Sequence, residues 1–258
     1  MSSQDDIADL DIVIPVWFEG RNILPVLDAF ARHLRMRHRI LICYDLDDDD
    51  TLPAIAAYSG PPVRVELVKN PSRGPHSAVL AGFAASTAPA VLVYMADDDY
   101  NADIIEPMLK RIRNGADVVA ASRFVTGGSM VGCPWFKRLI TVGGVFLLRD
   151  IARMPVADCT NAFRMFSRRL IDTVEIESTQ GFTFSVELLV KAVRLGWRVE
   201  EVAAQWFERA DKPSRFRIIA WLPAYLRWLF YAMATTWLRR GPAYVRRKAT
   251  SEALAAIR

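Results

Sequence analysis

Five short apolar runs, each closed by a turn signal, recur through the first half of the chain, at residues 11–15, 40–44, 63–68, 90–95 and 117–121. Helical spacing fills the gaps, over roughly 21–36, 51–58, 76–86 and 102–113. In the first gap Ile23, Leu27, Phe30 and Leu34 form a stripe that would face a sheet. Continuously apolar strands interleaved with helices predict a mostly parallel sheet covered on both faces, an α/β fold. In such sheets ligands bind beyond the carboxyl ends of the strands, so the chemistry is expected just after each run. The second half is less regular: a helix over 135–151, a strand over 160–166, a helix over 182–195 and a β-rich stretch over 197–207. No repeat or low-complexity linker divides the chain, and the two halves are expected to pack as one unit.

The residues after the runs are chemically unusual. The first run ends in Pro15, Trp17 and Glu19: an aromatic that can stack on a planar base, and a carboxylate that can accept from base or ribose donors. The second runs into Asp45, Asp47, Asp48, Asp49 and Asp50. Asp45, at the strand end, is the ribose candidate; Asp49 or Asp50 is expected to cap the next helix, with the other acids facing water. The fourth delivers Asp97, Asp98 and Asp99 to the sheet edge. Clustered carboxylates there suit Mg²⁺ or Mn²⁺, hard cations that bridge donor phosphates, and the alternative is a solvated acidic turn. Gly74 opens a helix whose N-terminus can present N–H groups to phosphate. Arg123, Lys137, Asp158, Thr160, Arg164, Arg209, Ser214 and Arg215 lie at strand ends and in loops of the second half, where a phosphate-rich substrate would meet the cations and hydroxyls among them.

Together, and in this order, the segments from about 11 to 217 resemble the dolichol-phosphate mannosyltransferase branch of the inverting family 2 glycosyltransferases, which share the GT-A fold. Val13-Ile14-Pro15-Val16-Trp17-Phe18-Glu19 is similar to the family's VIPTYNE. The loop from Tyr44 to Thr51 resembles DDGSxDGT, with Tyr44 replacing the first acid. Gly74 through Gly82-Phe83 is similar to GKGxAxxxGF without its lysine. Met95-Ala96-Asp97-Asp98 resembles the metal-binding MDAD, with Ala96 at the first acid position and Asp98 keeping the second. Ala121-Ser122-Arg123 is similar to GSR, and Trp135, Lys137 and Thr141 to W…R…S. Asp158 through Arg164 resembles DCTSGFR, and residues 182–189 a helix with an inward Glu187. Arg209, Ser214 and Arg215 resemble RxxGxSK.

The resemblance implies an α/β GT-A (Rossmann-like, nucleotide-binding) fold with a mostly parallel central sheet and a C-terminal amphipathic helical tail. Residues 1–216 would be the catalytic domain, with a nucleotide-sugar half at about 1–116 and an acceptor half at about 117–216. Pro15, Trp17, Glu19, Asp45, Asp97 and Asp98 would bind the nucleotide-sugar, and Asp98 with Asp97 would hold Mg²⁺ or Mn²⁺. Arg123, Lys137, Thr141, Ser214 and Arg215 would contact acceptor or donor phosphates, and Asp98, Asp158, Arg209 and Arg215 would carry catalysis. The implied reaction moves a hexose from a GDP-mannose or UDP-glucose type donor to a polyprenyl phosphate. The alternatives are a soluble family member that acts on a saccharide hydroxyl, with Asp158 or Asp99 as base, and a nucleotide-sugar-binding protein impaired by Ala96.

Charge is distributed unevenly. Residues 1–208 carry 22 Lys and Arg against 27 Asp and Glu, whereas residues 209–258 carry 11 against 2. A mildly acidic body argues against nucleic acid, and a basic, aromatic tail over 217–258 points to an anionic lipid surface. Residues 218–238 approach membrane-spanning length, but Arg227 sits at their centre and the aromatics are spread along them. An interfacial helix bent at Pro223 is expected. Its bulky face would carry Ile219, Leu222, Leu226, Leu229, Phe230, Met233 and Trp237, opposite Ala220, Ala224, Arg227, Ala234 and Thr235. The alternative is a packing helix, through which a homo-oligomer would form. The acidic start lacks a signal-peptide pattern, and three cysteines without ligand spacing fit reduced thiols. Both point to a cytoplasmic protein held peripherally at the membrane.

Overall fold

The computed structural model describes residues 8–208 and 218–249. Seven strands form one sheet: β1 (Leu10–Pro15), β2 (His38–Tyr44), β3 (Val65–Lys69), β4 (Ala90–Val93), β5 (Val118–Ser122), β7 (Arg164–Ser167) and β8 (Val199–Ala203), in the order β3-β2-β1-β4-β7-β5-β8. All neighbours pair parallel except β7, which runs against both β4 and β5. The mostly parallel α/β sheet is thus present, and it draws strands from both halves of the chain.

β1 to β5 each lie within a residue or two of an apolar run; β1, β2, β4 and β5 are largely buried on both faces, whereas β3 is the half-exposed edge strand. Val13, Leu41, Cys43, Val91, Val93 and Val118 face one core, with helices α3 (Pro75–Ala85) and α7 (Thr183–Arg194). Ile12, Ile14, Ile40, Ile42, Leu92 and Val119 face the other, with α1 (Leu24–His33) and α4 (Ile105–Arg113). A short helix α2 (Thr51–Ala56) follows β2. Gly82 of α3 lies directly on the sheet: a Cβ there would sit 2.4 Å from Val13 Cγ1 and 2.9 Å from Cys43 Sγ.

The second half contains elements that local periodicity did not indicate. β6 (Ser129–Val131) and β9 (Gln205–Phe207) form a separate two-stranded parallel sheet. The β-rich stretch is therefore two strands, divided at Ala204. The strand expected over 160–166 starts only at Arg164, because Asp158 accepts the N–H groups of Thr160 and Asn161 and holds that segment in a turn. A short helix, α6 (Arg168–Thr173), follows β7, with the Ser167 hydroxyl accepting from Leu170 N. Helix α5 (Trp135–Phe146) passes into a π-helical turn over Leu147–Ile151.

Helix α8 (Ile218–Trp237) packs against α7 along one seam. Trp228, Ala232 and Thr235 are buried in it, so Thr235 belongs to the packed face. The reason is polar as well as steric. Arg194 of α7 donates to Thr235 Oγ1 at 2.7 Å and to the Ala232 carbonyl at 3.1 Å, which needs small residues at that seam. Leu222, Leu226, Phe230 and Trp237 are left exposed. Among the described residues no helix is long and apolar enough to cross a membrane.

Gly82→Ala is expected to destabilise the fold by about 1–3 kcal/mol, the usual cost of forcing volume into a packed core. Denaturant unfolding measures this, and an unchanged midpoint would show that α3 can lift from the sheet.

Candidate active site

The carboxyl ends of β1, β2, β4 and β5 reach one edge of the sheet. Because β7 is antiparallel, its entry segment from Asp158 to Phe163 reaches the same edge. Residues predicted from five separate segments therefore meet there.

The loop after β1 is held in a strained shape. Phe18 takes φ +51°, a left-handed conformation unusual for a bulky residue. Its N–H donates to Asp49 Oδ2 at 2.9 Å, Glu19 N to Thr51 Oγ1 at 3.0 Å, and Gly20 N to Asp50 Oδ1 at 2.9 Å. Asp49 is buried, and its other oxygen accepts from Thr51 N at 2.9 Å. Asp49 thus bonds the first N–H of α2, as expected of a cap, whereas Asp50 makes no side-chain cap bond. Both acids also turn back to set the backbone that carries Trp17 and Glu19. Asp47 pairs with Lys69, and Asp48 is exposed.

Asp45 is also engaged. Buried at the end of β2, it accepts from Asn70 Nδ2 at 2.6 Å and from Gly74 N at 2.7 Å, tying β2 to the start of α3. Gly74 sits at φ +92°, a conformation L-residues rarely adopt.

A cavity of about 650 Å³ opens beside this edge. Its polar end is lined by Glu19, Asp97, Asp98, Tyr100, Arg123, Lys137, Thr141, Thr160 and Glu208. Its far wall is apolar, built by Ile140, Leu147 and Leu148, by Phe182 and Val186, and by Leu222, Tyr225, Leu226 and Leu229 of α8. Pro15, Trp17 and Asp45 lie on the same sheet edge outside these walls, and so does Asp99. A second, larger hollow beside α2, lined by Arg21, Asp28 and Tyr58 among others, gathers none of the predicted residues.

Asp98 is only 6% exposed. Its Oδ1 accepts from Tyr100 N at 3.3 Å and Asn101 N at 3.0 Å, and its Oδ2 from Asn101 Nδ2 at 2.7 Å. Burial pushes its titration up to about 6 against the pull of these bonds. The Tyr94 hydroxyl lies buried nearby, and burial with the neighbouring Asp98 carboxylate raises its titration well above the ordinary value. Asn101 in turn bonds Gln205 of β9 twice, donating to its carbonyl at 2.9 Å and accepting its N–H at 3.0 Å. Neither Asn101 nor Glu208 was singled out from sequence. The Asp-x-x-Asn spacing before the 102–113 helix was the available signal for the first.

Arg123 and Asp158 form one unit. Arg123 donates Nε to Asp158 Oδ2 at 2.7 Å and Nη2 to Oδ1 at 3.0 Å, with its own N–H on Oδ2 at 3.1 Å and Nη2 also on Thr160 Oγ1 at 3.0 Å. Asp158 is fully buried behind Arg123. Burial alone would raise its titration, but the Arg123 charge and hydrogen bonds, with Arg164 beyond, hold it below the ordinary carboxylate range. Arg123 reaches the cavity wall and Asp158 does not. Lys137 on α5 pairs with Glu208 at 2.5 Å. Arg209, Ser214 and Arg215 lie outside the described residues.

Among the described residues no group of three or more His, Cys, Asp or Glu is gathered that could hold a metal ion. Mg²⁺ and Mn²⁺ sites that complete their shell with substrate phosphates need only one or two carboxylates. Asp98 and Asp97 fit that kind of site: both reach the cavity, and the buried Asp98 charge lacks a cationic partner within hydrogen-bond reach among the described residues.

Residues 11–174 match the model of the family described as Glycosyl transferase family 2. An uncharacterised glycosyltransferase of Mycobacterium tuberculosis is 31% identical over 204 residues, covering 79% of this chain and 88% of the relative. An undecaprenyl-phosphate mannosyltransferase of Micrococcus luteus is 30% identical over 205 residues, covering 76% and 83%. Among solved structures, glucosyl-3-phosphoglycerate synthase of M. tuberculosis, in complex with Mn²⁺, uridine diphosphate and glucosyl-3-phosphoglycerate, superposes with a TM-score of 0.64. It shares 17% identity over 89% of this chain and 80% of its own, a likeness of fold.

The raised titration of Asp98 has a signed consequence. A carboxyl that titrates near 6 when folded and at its ordinary value of 3.8 when unfolded binds its proton more tightly in the folded state. Its contribution to stability is therefore lost as pH rises from about 4 through 6, leaving the ionised group unfavourable above. Asp98→Asn should thus change Tm more favourably at pH 8 than at pH 4.5. Thermal melts at both values check this, and an equal or opposite difference would remove the buried-charge argument.

Proposed function

The chain belongs to glycosyl transferase family 2, and we propose that it transfers a hexose from a nucleotide-sugar to a polyprenyl phosphate at the cytoplasmic face of a membrane. The observation that carries this reading is the two-ended cavity. Carboxylates for a donor's metal and cations for phosphate share its polar end, and an apolar wall suited to a lipid chain continues from them. The undecaprenyl-phosphate mannosyltransferase relative supports the same acceptor class.

The residues divide the work by position. Trp17, Glu19 and Asp45, on the edge braced by Asp49 and Asp50, take the nucleoside of a GDP-mannose or UDP-glucose type donor. Mg²⁺ or Mn²⁺ held by Asp98 and Asp97 would neutralise charge on the leaving diphosphate. Arg123, Lys137 and Thr141 orient the acceptor phosphate, with Arg209, Ser214 and Arg215 assigned to the same task by motif alone. A phosphate oxygen is already anionic at neutral pH, so no side chain has to take a proton before it attacks the anomeric carbon. Inversion follows if it attacks opposite the leaving diphosphate. Asp158, sealed behind Arg123 and held ionised, serves as the positioning residue that aims Arg123; this burial favours a phosphate acceptor over a sugar hydroxyl.

Membrane association rests on exposed apolar surface. Trp135 is 78% exposed at the start of α5, with Phe136, Leu139 and Phe146 also open to solvent. Leu222, Leu226 and Phe230 of α8 are exposed too, and both helices wall the cavity. Arg239, Arg240, Arg246, Arg247 and Lys248 follow α8 and suit an anionic leaflet. Residues 1–216 would then form the catalytic domain and 217–258 the interface tail.

Transfer of sugar to farnesyl phosphate, screened over nucleotide-sugars with and without Mn²⁺, tests the reaction. Turnover that needs the lipid phosphate supports it, and turnover only on free saccharides overturns it. Asp98→Asn should lose roughly 10²-fold or more in rate. Leu226→Glu with Phe230→Glu should weaken sedimentation with anionic vesicles by about tenfold or more, since each buried large apolar side chain contributes about 1.5–3 kcal/mol; unchanged binding would locate the membrane surface elsewhere.

A further inference from the structure

Glu208 stands at the polar end of the cavity and takes no part in the transfer described above. It follows β9, and its backbone is fixed: its N–H donates to the Val131 carbonyl of β6 at 3.0 Å. Its carboxylate projects to Lys137, with Oε1 at 2.5 Å from Nζ. The two side chains are 22% and 20% exposed, so solutes in the cavity can reach the pair.

The contrast with the other cavity cation is informative. Arg123 is matched by a fully buried carboxylate, through two guanidinium bonds, a backbone N–H and a shared Thr160. Nothing entering the cavity can exchange with Asp158. Lys137, by comparison, meets Glu208 through one hydrogen bond between two partly exposed side chains, a pair that solutes in the cavity can reach. Lys137 is a compact point charge with three donors, able to pass from one anion to another.

We infer that Glu208 is a specificity-determining residue: it keeps Lys137 occupied until a phosphate monoester, carrying two negative charges, displaces it. This rests on the phosphate-acceptor reading and narrows it. A neutral hydroxyl has no charge with which to compete, and a phosphodiester brings one charge against the one Glu208 already supplies. Only a terminal, doubly charged phosphate displaces the resident carboxylate and tolerates its nearness once Lys137 has turned to it beside the fixed Arg123. The pair thereby selects the class of lipid: polyprenyl monoester phosphate over its diesters and over free polyprenol.

The test compares farnesyl phosphate with its methyl ester, by calorimetric binding to the full chain without donor and by turnover with it. Glu208→Gln is expected to bind farnesyl phosphate about tenfold more tightly than the wild type. It should bind the methyl ester more tightly by a larger factor, so that discrimination between the two falls, and the acceptor KM should fall in parallel. Weaker or unchanged binding of both esters in Glu208→Gln overturns the inference, because a pair that merely ties α5 to β9 would lose Tm and affinity together. If that variant does not fold, Glu208→Asp, with a shorter reach to Lys137, should move binding the same way by about threefold, and no change in it overturns the inference equally. Wild-type protein that binds these esters as described but transfers no sugar to them would sink the proposed reaction and leave the role of Glu208 standing.

Discussion

The site depends on the side-chain amide of Asn101. Its donor grips Asp98 and the Gln205 carbonyl, and its acceptor takes the Gln205 N–H, while its own backbone N–H closes on Asp98. Asp98 belongs to the edge of the seven-stranded sheet, and Gln205 begins the strand that leads to Glu208. One neutral side chain therefore sets the distance between the carboxylates that would meet a donor and the ion pair that would meet an acceptor. The T-shaped contact of Tyr100 with Phe207, ring centroids 4.8 Å apart, repeats the connection one residue before Asn101 and two after Gln205. An amide suits this position because it donates and accepts at once without adding charge beside a carboxylate that is already costly to ionise.

Around this brace the two cations that line the cavity among the described residues are treated differently. Arg123 is permanently oriented by a buried partner, as befits a planar group whose value lies in direction. Lys137 is held by one bond to a carboxylate that the cavity can reach, as befits a point charge that can change partners. Electrostatic preorganisation and exchangeability thus coexist within one pocket, assigned to different residue types.

Much of this was legible in the chain. Strands buried on both faces announce themselves as apolar runs, and the residues after β1, β2, β4 and β5 were singled out because carboxylates and aromatics are unusual there. What stayed hidden depends on meetings at long range. Arg123 and Asp158 were each marked, but their union across 35 positions was not. Asn101 meets Gln205 across 104 positions, and Lys137 meets Glu208 across 71. Strands β6 and β9 have three residues each, too short for a period to register. On α8 the helical wheel separated the bulky face from the smaller one, but not the bond by which Arg194 ties Thr235 of the smaller face to α7.

Helix α8 has an outer surface open to solvent, an inner seam on α7, and side chains in the cavity wall. The surface proposed for attachment thereby belongs to the same element as the architecture of the chamber. Shortening the chain ahead of Ile218 to obtain a better-behaved protein would strip away one side of the chamber in which a lipid tail would lie, and would leave Arg194 without its hydroxyl partner. A soluble version worth crystallising must keep the helix and repaint only its outward residues.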